Sequence, residues 1–328
     1  MTKKIINVTA ALIIKGGKVL ATRRGPGKHL EGYWEFPGGK LEENESPEGC
    51  LERELAEELC ISSKVGAYVG ESVYDYGGKI VRLLGYEVEH TAGDFKLVDH
   101  DELRWLEIDQ LCDVKWAPAD IPLVKQYETR ARVAKYYSTN AIEYCEETSE
   151  FDVGDLYRPF LEHLRPGAHI LDLGCGSGRD SKAFREMGYK VTSVDGSSEI
   201  AAWASMFTGY PVVVKLFQQV DYKEEFDGIW ASASLLHCHP SQLQSSLQRI
   251  VVSLKSGGVA YLSFKWGSEE TVDDLGRPFT NHTTASLRGL VETLAGIEIL
   301  DVWDTEMLLR GRPQKWVYAM IQKTGAAE

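Results

Sequence analysis

A strongly acidic segment between Gly38 and Ile61 is the part of the sequence with the clearest chemical content. Ser46, which is followed by a proline, predicts a helix start with the serine as N-cap and the proline in the first turn. On that helix Glu54, Glu57 and Glu58 share one face, and carboxylates at this spacing repel one another. A cation is therefore expected against them, and hard oxygen ligands favour Mg²⁺ or Mn²⁺.

The spacing of this segment resembles the Nudix box, a pattern of glycine, glutamate and arginine residues around one helix. The matching residues are Gly39, Glu45, Arg53, Glu54, Leu55, Glu57, Glu58 and Ile61. The resemblance implies that the three helix glutamates and the Gly39 carbonyl hold magnesium ions that bridge a diphosphate and help to activate water. It also implies that Arg53 pairs with a neighbouring carboxylate. Cys60 departs from the family glycine, which leaves the shape of the helix end open.

The segment Tyr33 to Lys40 looks like the substrate entrance of the Nudix branch that hydrolyses oxidised nucleotides and CTP-type triphosphates. This likeness implies that Glu35 and Phe36 contact the nucleotide. It also implies phosphate contacts for three cations, which are Lys40, Arg23 and Arg24. Asp99, six residues before Trp105, is expected to be a metal ligand or catalytic base, with Glu102 as the competing candidate.

The segment 116–122 resembles the base-recognition turn of the same branch and contains Asp120. A carboxylate can accept a hydrogen bond from an exocyclic amine, which favours a cytosine-type deoxynucleotide as the substrate. The alternative is that Asp120 only caps the helix that follows it.

A second constellation begins at His169, where an apolar strand leads into the glycine-rich turn Gly174-Cys175-Gly176-Ser177-Gly178. Such a turn alone is a weak signal, because glycine-rich turns also bind phosphates or allow tight packing. Asp172 precedes it, and Asp195 ends the next strand 23 residues later, where a carboxylate can accept both ribose hydroxyls. A nicotinamide-binding pattern would require glycine or alanine at Arg179.

These features resemble class I methyltransferases over residues 135 to 323, with tellurite-resistance-like enzymes among the similar small-molecule members. The resemblance implies binding of S-adenosylmethionine by a helix bearing Tyr136, Tyr137, Asn140 and Tyr144, which would form a lid. The other implied cofactor residues are Asp172, Gly174, Cys175, Gly176, Asp195, Gly196, Gln218, Gln219 and Ser232.

Ser234, His237 and Lys265 are expected on the side of the methyl acceptor. For His237, which adjoins Cys238 and His239, ordinary packing competes with acceptor binding, and a metal site is the weakest of the three interpretations. For Lys265 the competing interpretation is a solvated sheet edge. With no catalytic cysteine pattern evident, methyl transfer is expected to depend mostly on positioning the acceptor.

The elements that position these residues change in pattern along the chain. Residues 1–130 are predicted to form an α+β Nudix domain, with hairpins at Lys15 to Lys18 and Asp75 to Lys79 and a mixed sheet with flanking helices. A helix at 118 to 132 is predicted to close it. Residues 131–328 form the second predicted domain, in which strands and helices alternate from His169 onward, and this predicts a doubly wound, mainly parallel α/β sheet. Two late strand candidates are Ile297–Trp303 and Trp316–Gln322. The resemblance implies that this domain has the Rossmann-like class I methyltransferase fold.

Composition excludes several classes of protein. The 328 residues include 43 % hydrophobic ones and allow two cores. The apolar runs are too short to span a bilayer, so no membrane association is expected. The six cysteines form no CxxC motif, which favours a reducing cytoplasm. A net charge of -13 argues against long nucleic acid as a partner.

The sequence as a whole therefore predicts a bifunctional enzyme that acts on a nucleoside triphosphate and methylates a small molecule. Two alternatives remain open. In the first alternative, the Nudix domain is a non-catalytic sensing module that regulates the methyltransferase. In the second, the methyltransferase acts on nucleic acid. The oligomeric state is left open.

Overall fold

The computed structural model of the protein describes residues 3–309 and 312–325. The chain divides into two compact units, Met1–Ala131 and Arg132–Glu328. The expected boundary lay after residue 130. The predicted closing helix begins three residues later and runs further than expected, over Ile121–Thr139, so it continues across the division.

The first unit is built on a mixed sheet. Its elements are β1 (Ile5–Lys15), β2 (Lys18–Arg24), β3 (Trp34–Glu35), α1 (Pro47–Leu59), β4 (Ser62–Asp75), β5 (Ile80–Ala92), β6 (His100–Leu106), a 3-10 helix (Ile108–Asp113) and α2 (Ile121–Thr139). The strand order is β3-β2-β1-β5-β4, and β6 pairs with β2. Strands β1 and β5 are parallel, and β1–β2 and β4–β5 form the two predicted hairpins.

Strand β1 explains why helices cover both faces of this sheet. Its residues Ala10 to Ile13 are all buried, although successive side chains point to opposite faces. Leu12 packs in the cluster that contains Leu123 of α2, whereas Ile13 packs with Leu55 of α1. The sheet is therefore enclosed between α1 and α2, and α1 is held rigidly beside β1.

Helix α1 starts as predicted, because the Ser46 side chain accepts a hydrogen bond from the Gly49 N–H at 3.1 Å. It ends at Cys60, which has φ 58° and ψ 32°. The cysteine thus takes the left-handed conformation that usually favours glycine. The family geometry of the helix end is kept despite the substitution.

The second unit contains a larger sheet. Its helices are α3 (Ala141–Ser149), α4 (Tyr157–Leu161), α5 (Arg179–Glu186), α6 (Ser198–Thr208), α7 (Pro240–Ser253) and α8 (Thr284–Glu292). Its strands are β7 (His169–Leu173), β8 (Lys190–Asp195), β9 (Val212–Val214), β10 (Phe226–Ala231), β11 (Leu254–Lys265), β12 (Thr271–Val272), β13 (Pro278–Phe279), β14 (Ile297–Leu309) and β15 (Arg312–Lys323). Short 3-10 turns occupy Gly154–Leu156, Phe217–Gln219 and Leu235–His237.

The strand order of the large sheet is β14-β15-β11-β10-β7-β8-β9, and strands β7 to β11 run parallel. Strand β7 is buried along its whole length, as expected for a central parallel strand. The chain passes from β7 to β8 on one side, while β10 lies on the other. The loops after β7 and β10 therefore open at a topological switch point, where parallel sheets bind ligands.

Two expectations about the second unit were wrong in detail. The predicted lid is two helices, because Asn140 has φ -113° and ψ 19° and separates α2 from α3. The last two strands extend beyond the predicted Ile297–Trp303 and Trp316–Gln322 and form a long antiparallel hairpin. Within the described ranges, no helix combines the length and apolar composition needed to cross a membrane.

Candidate active sites

A cavity of about 320 Å³ opens in the first unit beside α1. The predicted residues that line it are Arg24, Glu35, Phe36, Gly39, Lys40, Glu54, Glu58, Asp99 and Asp120. They come from β2, β3, α1 and three loops. Residues that are up to 96 positions apart, from Arg24 to Asp120, thus meet at one site.

Glu54 and Gly39 approach each other closely on the wall of this cavity. A Cβ atom at Gly39 would lie 2.0 Å from the Glu54 carboxyl carbon, so no larger residue fits there without displacement of the carboxylate. The Gly39 carbonyl also accepts a hydrogen bond from the Thr9 N–H at 2.8 Å. This contact, together with the Thr9 hydroxyl at 3.3 Å from the same oxygen, holds the Gly39 carbonyl against β1.

Glu58 lies deeper in the same wall. Burial raises the pKa of its carboxyl to about 7, an effect that His100 opposes and Glu35 reinforces. The Glu58 Oε2 atom is buried and has no hydrogen-bond partner within the described residues. A buried carboxylate oxygen without a donor is costly unless a cation meets it. Glu54, Glu58 and the Gly39 carbonyl thus fit the hard divalent cation that the sequence predicts.

Glu57 does not join this set. Its side chain is 61 % exposed and its Oε2 lies 3.4 Å from Arg53 Nη1. In the described part of the chain, no group of three acidic, histidine or cysteine side chains is arranged to hold a metal. The predicted set of three carboxylates is therefore represented in the cavity by two. Rotation of the exposed Glu57 side chain is needed to bring it to the same cation.

Arg53 orients the helix as expected from the resemblance. Its Nε lies 2.9 Å from Glu45 Oε1 and its Nη1 lies 3.1 Å from Glu54 Oε1. The Glu45 contact lowers the pKa of that carboxyl to about 2. Arg53 therefore ties the loop before α1 to the carboxylates on the helix.

The neighbouring cations Arg23 and Arg24 point to opposite faces of β2, as strand geometry requires. Arg24 lines the cavity and pairs with Glu35. Arg23 lies outside the lining and pairs with Asp101 at 2.7 Å and Glu102 at 2.8 Å. Of the two arginines, only Arg24 lies where a phosphate contact was expected, beside the predicted Lys40. Glu102, the competing candidate to Asp99, is engaged by Arg23 outside the cavity lining.

Asp99, the preferred candidate of the two acids, does line the cavity. Its carboxylate lies 2.9 Å from Lys28 Nζ, which lines the cavity as well. The sequence analysis did not select Lys28. Lys28 is therefore a further cation on the cavity wall, and its charge is paired with Asp99.

Asp120 is almost fully buried, with 4 % exposure. Its Oδ1 accepts a hydrogen bond from the Phe36 N–H at 2.9 Å, so the side chain contacts the residue that follows β3. Burial and the nearby Glu35 charge raise the pKa of Asp120 well above its usual range. The neutral acid form is therefore more accessible at this position than it is for an exposed aspartate.

His100 is a further site residue that sequence reasoning missed. It is buried on β6 and its Nε2 lies 3.0 Å from Glu35 Oε1, on the opposite side of Glu35 from Arg24. Glu35 is thereby held between two cationic or donor groups. The available signal was weak, because His100 only adjoins the selected residue Asp99 in the sequence.

The second unit contains a cavity of about 750 Å³ at the switch point of its sheet. The predicted residues on its wall are Tyr137, Gly174, Cys175, Gly176, Ser232, His237 and Lys265. Further lining residues that sequence reasoning did not assign to a role include Arg179, Asp180, Arg277, Phe279 and Trp316.

Asp195 organises the glycine-rich turn from beneath. Its two oxygens accept hydrogen bonds from the Gly176 N–H at 3.0 Å and the Ser197 N–H at 2.9 Å. Burial raises the pKa of Asp195 to about 6, although these backbone donors act in the opposite direction. Gly174 has φ 76°, and a Cβ atom there would lie 2.4 Å from Ser234 Cβ. The turn therefore requires glycine for conformation and for space.

Asp195 and five further predicted residues are not among those that line the cavity. Asp172 is buried and accepts a hydrogen bond from Ser181 Oγ at 2.6 Å, and burial together with Asp180 raises its pKa. Ser234 packs against the turn at Gly174. The remaining three are Gly196, Gln218 and Gln219, and Gln218 donates to Gln242 at 2.9 Å. These residues support the site from outside the lining.

His237 and Tyr137 form a hydrogen-bonded pair on the cavity wall. His237 Nδ1 lies 3.0 Å from the Pro278 carbonyl, which can only accept, so this nitrogen carries the proton. Burial lowers the pKa of His237 to about 4, which keeps the ring neutral. Its Nε2 must then accept from the Tyr137 hydroxyl at 2.8 Å. Both nitrogens are occupied, which excludes the metal interpretation for this side chain.

Arg179 and Asp180 directly follow the glycine-rich turn and form an ion pair on the wall at 2.6 Å. The Asp180 carboxylate also accepts from Tyr157 Oη at 2.7 Å and from Trp230 Nε1 at 2.8 Å. This acid is therefore fully engaged in holding α5 to the sheet.

The geometry agrees with the relationships found by comparison. Residues 3–127 match the profile of the NUDIX domain, and residues 170–258 match that of a methyltransferase domain. CTP pyrophosphohydrolase of Escherichia coli (strain K12) is 38 % identical over 124 residues, which cover 38 % of this chain and 92 % of that protein. An 8-oxo-dGTP diphosphatase of Haemophilus influenzae is 33 % identical over 125 residues, with 38 % and 92 % covered.

A solved structure supports the fold of the second unit. Burkholderia thailandensis 1,6-didemethyltoxoflavin-N1-methyltransferase, solved with 1,6-didemethyltoxoflavin and S-adenosylhomocysteine, is similar with a TM-score of 0.53. The match covers 64 % of this chain and 95 % of that chain at 23 % identity. At this identity the likeness shows the shared fold.

Proposed function

The chain belongs to the Nudix family through its first unit and carries a methyltransferase domain in its second, and from this premise we propose that one polypeptide performs two reactions. In the first, a nucleoside triphosphate and water give a nucleoside monophosphate and pyrophosphate. In the second, a methyl group passes from S-adenosylmethionine to a small molecule. The observation that carries the first activity is the convergence of Glu54, Glu58 and the Gly39 carbonyl in one cavity.

A bound Mg²⁺ or Mn²⁺ ion would neutralise charge on the diphosphate and lower the pKa of the attacking water. Glu54, Glu58 and the Gly39 carbonyl would hold it. Lys28 and Lys40 on the same wall would contact the phosphates. Asp99, which lines the same cavity and pairs with Lys28, would act as a metal ligand or base.

The proposal is tested by magnesium-dependent pyrophosphate release from a panel of nucleotides. The panel contains CTP, dCTP, UTP, 8-oxo-dGTP and methylated nucleoside triphosphates. Selective turnover that requires the metal supports the hydrolase activity. Absence of turnover across the panel, in protein that still binds S-adenosylhomocysteine, would favour a sensing role for the first domain.

Asp120 is proposed to select the base. A neutral carboxylic acid can donate to cytosine N3 while it accepts from the N4 amine, whereas uracil presents the opposite pattern. We expect Asp120→Leu to lower the ratio of kcat/KM for CTP over UTP by about tenfold or more. Asp120→Asn should largely keep the ratio, because an amide presents the same donor and acceptor.

Comparison of the two variants shows whether Asp120 recognises the base as a neutral acid or as a carboxylate. If Asp120→Asn lost the preference as fully as Asp120→Leu, the side chain would act as a carboxylate. If neither variant changed the ratio, Asp120 would serve the structure only, through its hydrogen bond to the Phe36 N–H. Steady-state kinetics at pH 7.5 with both nucleotides measures these outcomes.

The second activity is supported by the wall that surrounds Gly174 to Gly176 and by Asp195 beneath it. The methyl donor supplies an activated sulfonium methyl group. This chain's residues would hold the donor and acceptor in line and exclude water, which is sufficient for an already nucleophilic acceptor. The net charge of -13 favours a small molecule over nucleic acid as the acceptor.

The affinity for S-adenosylhomocysteine is expected to fall in acid through Asp195. Burial raises the pKa of this group to about 6, and only the ionised form can accept from both ribose hydroxyls. As the pH falls through 6 the carboxyl is protonated, so the Kd should rise about tenfold for each further pH unit. Calorimetric titrations between pH 4.5 and 7.5 measure this slope.

The variant Asp195→Asn provides the control for this pH dependence. It cannot ionise, so its weaker affinity should vary little over the same range. A wild-type Kd that stays constant between pH 4.5 and 7.5 would contradict the proposed ribose contact.

A further inference from the structure

Two cations without a shared counter-ion line one part of the second cavity. Lys265 ends strand β11, and Arg277 directly precedes β13, which pairs with β12 in a two-stranded sheet. Both residues line the cavity. Lys265 Nζ lies 3.3 Å and Arg277 Cζ lies 5.4 Å from the centroid of the Phe279 ring. Both positive charges therefore lie close to one aromatic side chain on the cavity wall. Both residues are distant in sequence from the glycine-rich turn.

Only one of these two cations, Arg277, has an anionic partner among the described residues. Arg277 pairs with Asp273 through an Nη2–Oδ2 distance of 2.7 Å and an Nε–Oδ2 distance of 2.9 Å. Lys265 has no ion pair within the described residues. Burial lowers the pKa of Lys265, and the charge of Arg277 lowers it more than Asp273 raises it. One half-buried positive charge is thus left without an anion.

A third donor stands beside Lys265. Strands β11 and β15 pair antiparallel, with Lys265 directly opposite Trp316, so the two side chains project from the same face of the sheet. Trp316 also lines the cavity, and its Nε1 is buried without an acceptor in the described part of the protein. An indole N–H can only donate, and a buried donor without a partner is costly.

We propose that Lys265, Arg277 and the Trp316 indole N–H form an oxyanion-binding subsite that anchors the methyl acceptor. The acceptor is then a small molecule with a carboxylate or phosphate group and an apolar body that packs on Phe279. This inference rests on the proposed methyltransferase function, because it assigns the acceptor within the same cavity. The oxyanion is the anchor and not the methylated atom, since two cations withdraw electron density from a nucleophile that they contact.

The two groups on this wall that could take a proton from the methyl acceptor, His237 and Asp180, already have hydrogen-bond donors. The acceptor molecule is therefore expected to bind in its deprotonated form. His237 Nε2 already accepts from Tyr137, and the Asp180 carboxylate is held by Arg179, Tyr157 and Trp230. The three side chains assigned to the subsite, Lys265, Arg277 and Trp316, offer donors only. An acceptor molecule rich in hydrogen-bond acceptors matches this chemistry.

The test uses three fluorinated probes with the full-length protein saturated with S-adenosylhomocysteine. These probes are 4-fluorobenzoate, 4-fluorophenyl phosphate and the neutral 4-fluorobenzamide, titrated by ¹⁹F NMR. The protein forms are wild type, Lys265→Met, Trp316→Phe and the matched control Lys223→Met, an exposed lysine outside the cavity. Titration calorimetry gives the affinity of each form for S-adenosylhomocysteine.

We expect at least one anionic probe to bind the wild type about tenfold or more tightly than the amide, as charge-assisted hydrogen bonds predict. That preference should disappear in Lys265→Met, fall in Trp316→Phe and persist in Lys223→Met. The anionic probe with the larger affinity ratio over the amide shows whether the subsite prefers a carboxylate or a phosphate group.

Two results would overturn the inference. One is equal binding of the anions and the amide, or a preference that survives Lys265→Met. The other is competition between the anionic probe and S-adenosylhomocysteine, together with equal losses of affinity for the two molecules in Lys265→Met. This result would show that these cations hold the carboxylate of the methyl donor. If S-adenosylhomocysteine did not bind the wild type while the anion preference remained, the methyltransferase function would fail and the anion subsite would stand.

Discussion

Replacing Glu58 by glutamine is expected to lower the rate of pyrophosphate release by roughly three orders of magnitude. The carboxylate is buried, its Oε2 has no donor among the residues that the structure describes, and it faces the same cavity as Glu54. Glutamine keeps the shape of the side chain but removes the charge that would meet a divalent cation, which is worth several kcal/mol in the transition state. Steady-state pyrophosphate release at saturating magnesium measures the loss.

Two glutamates on the same helix serve as comparisons for Glu58→Gln. Glu48 is exposed in the first turn of α1, so Glu48→Gln should retain nearly full activity. Glu57→Gln tests whether this exposed side chain rotates to the metal, and a loss close to that of Glu58→Gln would show that it does. Retention of activity by Glu58→Gln would contradict the proposed metal site.

The Glu58→Gln protein also tests whether the domains work independently. Glu58 lies in the first unit and the glycine-rich turn in the second. We therefore expect the affinity for S-adenosylhomocysteine to stay unchanged. A parallel loss of hydrolysis and of S-adenosylhomocysteine binding would mean that the two activities are coupled.

Asp195→Asn is expected to weaken S-adenosylhomocysteine binding by roughly 10²- to 10³-fold. Two charge-assisted hydrogen bonds to ribose hydroxyls would be lost or weakened, each worth about 1.5–3 kcal/mol. The amide would also present a donor to one of the two backbone N–H groups that the carboxylate now satisfies, at Gly176 or Ser197. Calorimetric titration at pH 7.5 measures the change.

The matched control is Asp221→Asn, an exposed carboxylate that pairs with Lys215 outside the cavity. Its affinity for S-adenosylhomocysteine should equal that of the wild type. Pyrophosphate release should be normal in both variants. Unchanged S-adenosylhomocysteine affinity in folded Asp195→Asn protein would remove Asp195 from the proposed cofactor site.

Local sequence was sufficient for much of the fold. Ser46 and the proline after it set the start of α1 through short-range hydrogen bonding, and the glycines at 16 and 17 set the first hairpin. The apolar strands and glycine turn of the second unit predicted its parallel sheet. Asn140 was misjudged, because a helix break in the middle of helix-forming residues has no strong local signal.

The site required more than local sequence. Glu57 and Glu58 are adjacent and chemically alike, yet one is 61 % exposed and the other is buried near His100 and Glu35. Arg23 and Arg24 were given one role but project from opposite faces of β2. Which member of each pair enters the cavity depends on how the sheet packs against its neighbours.

By itself, the sequence determined which chemistry this protein carries, because the carboxylate spacing of α1 and the glycine turn before Arg179 are local patterns read within one or two elements. Only the tertiary structure decided the raised pKa values of Asp120 and Asp195, the pairing of Tyr137 with His237, and the gathering of Lys265 and Arg277 around Phe279. Those properties arise from burial and from contacts between residues distant in the chain. Desolvation and long-range electrostatics act on the folded arrangement, and no spacing rule along the chain encodes them.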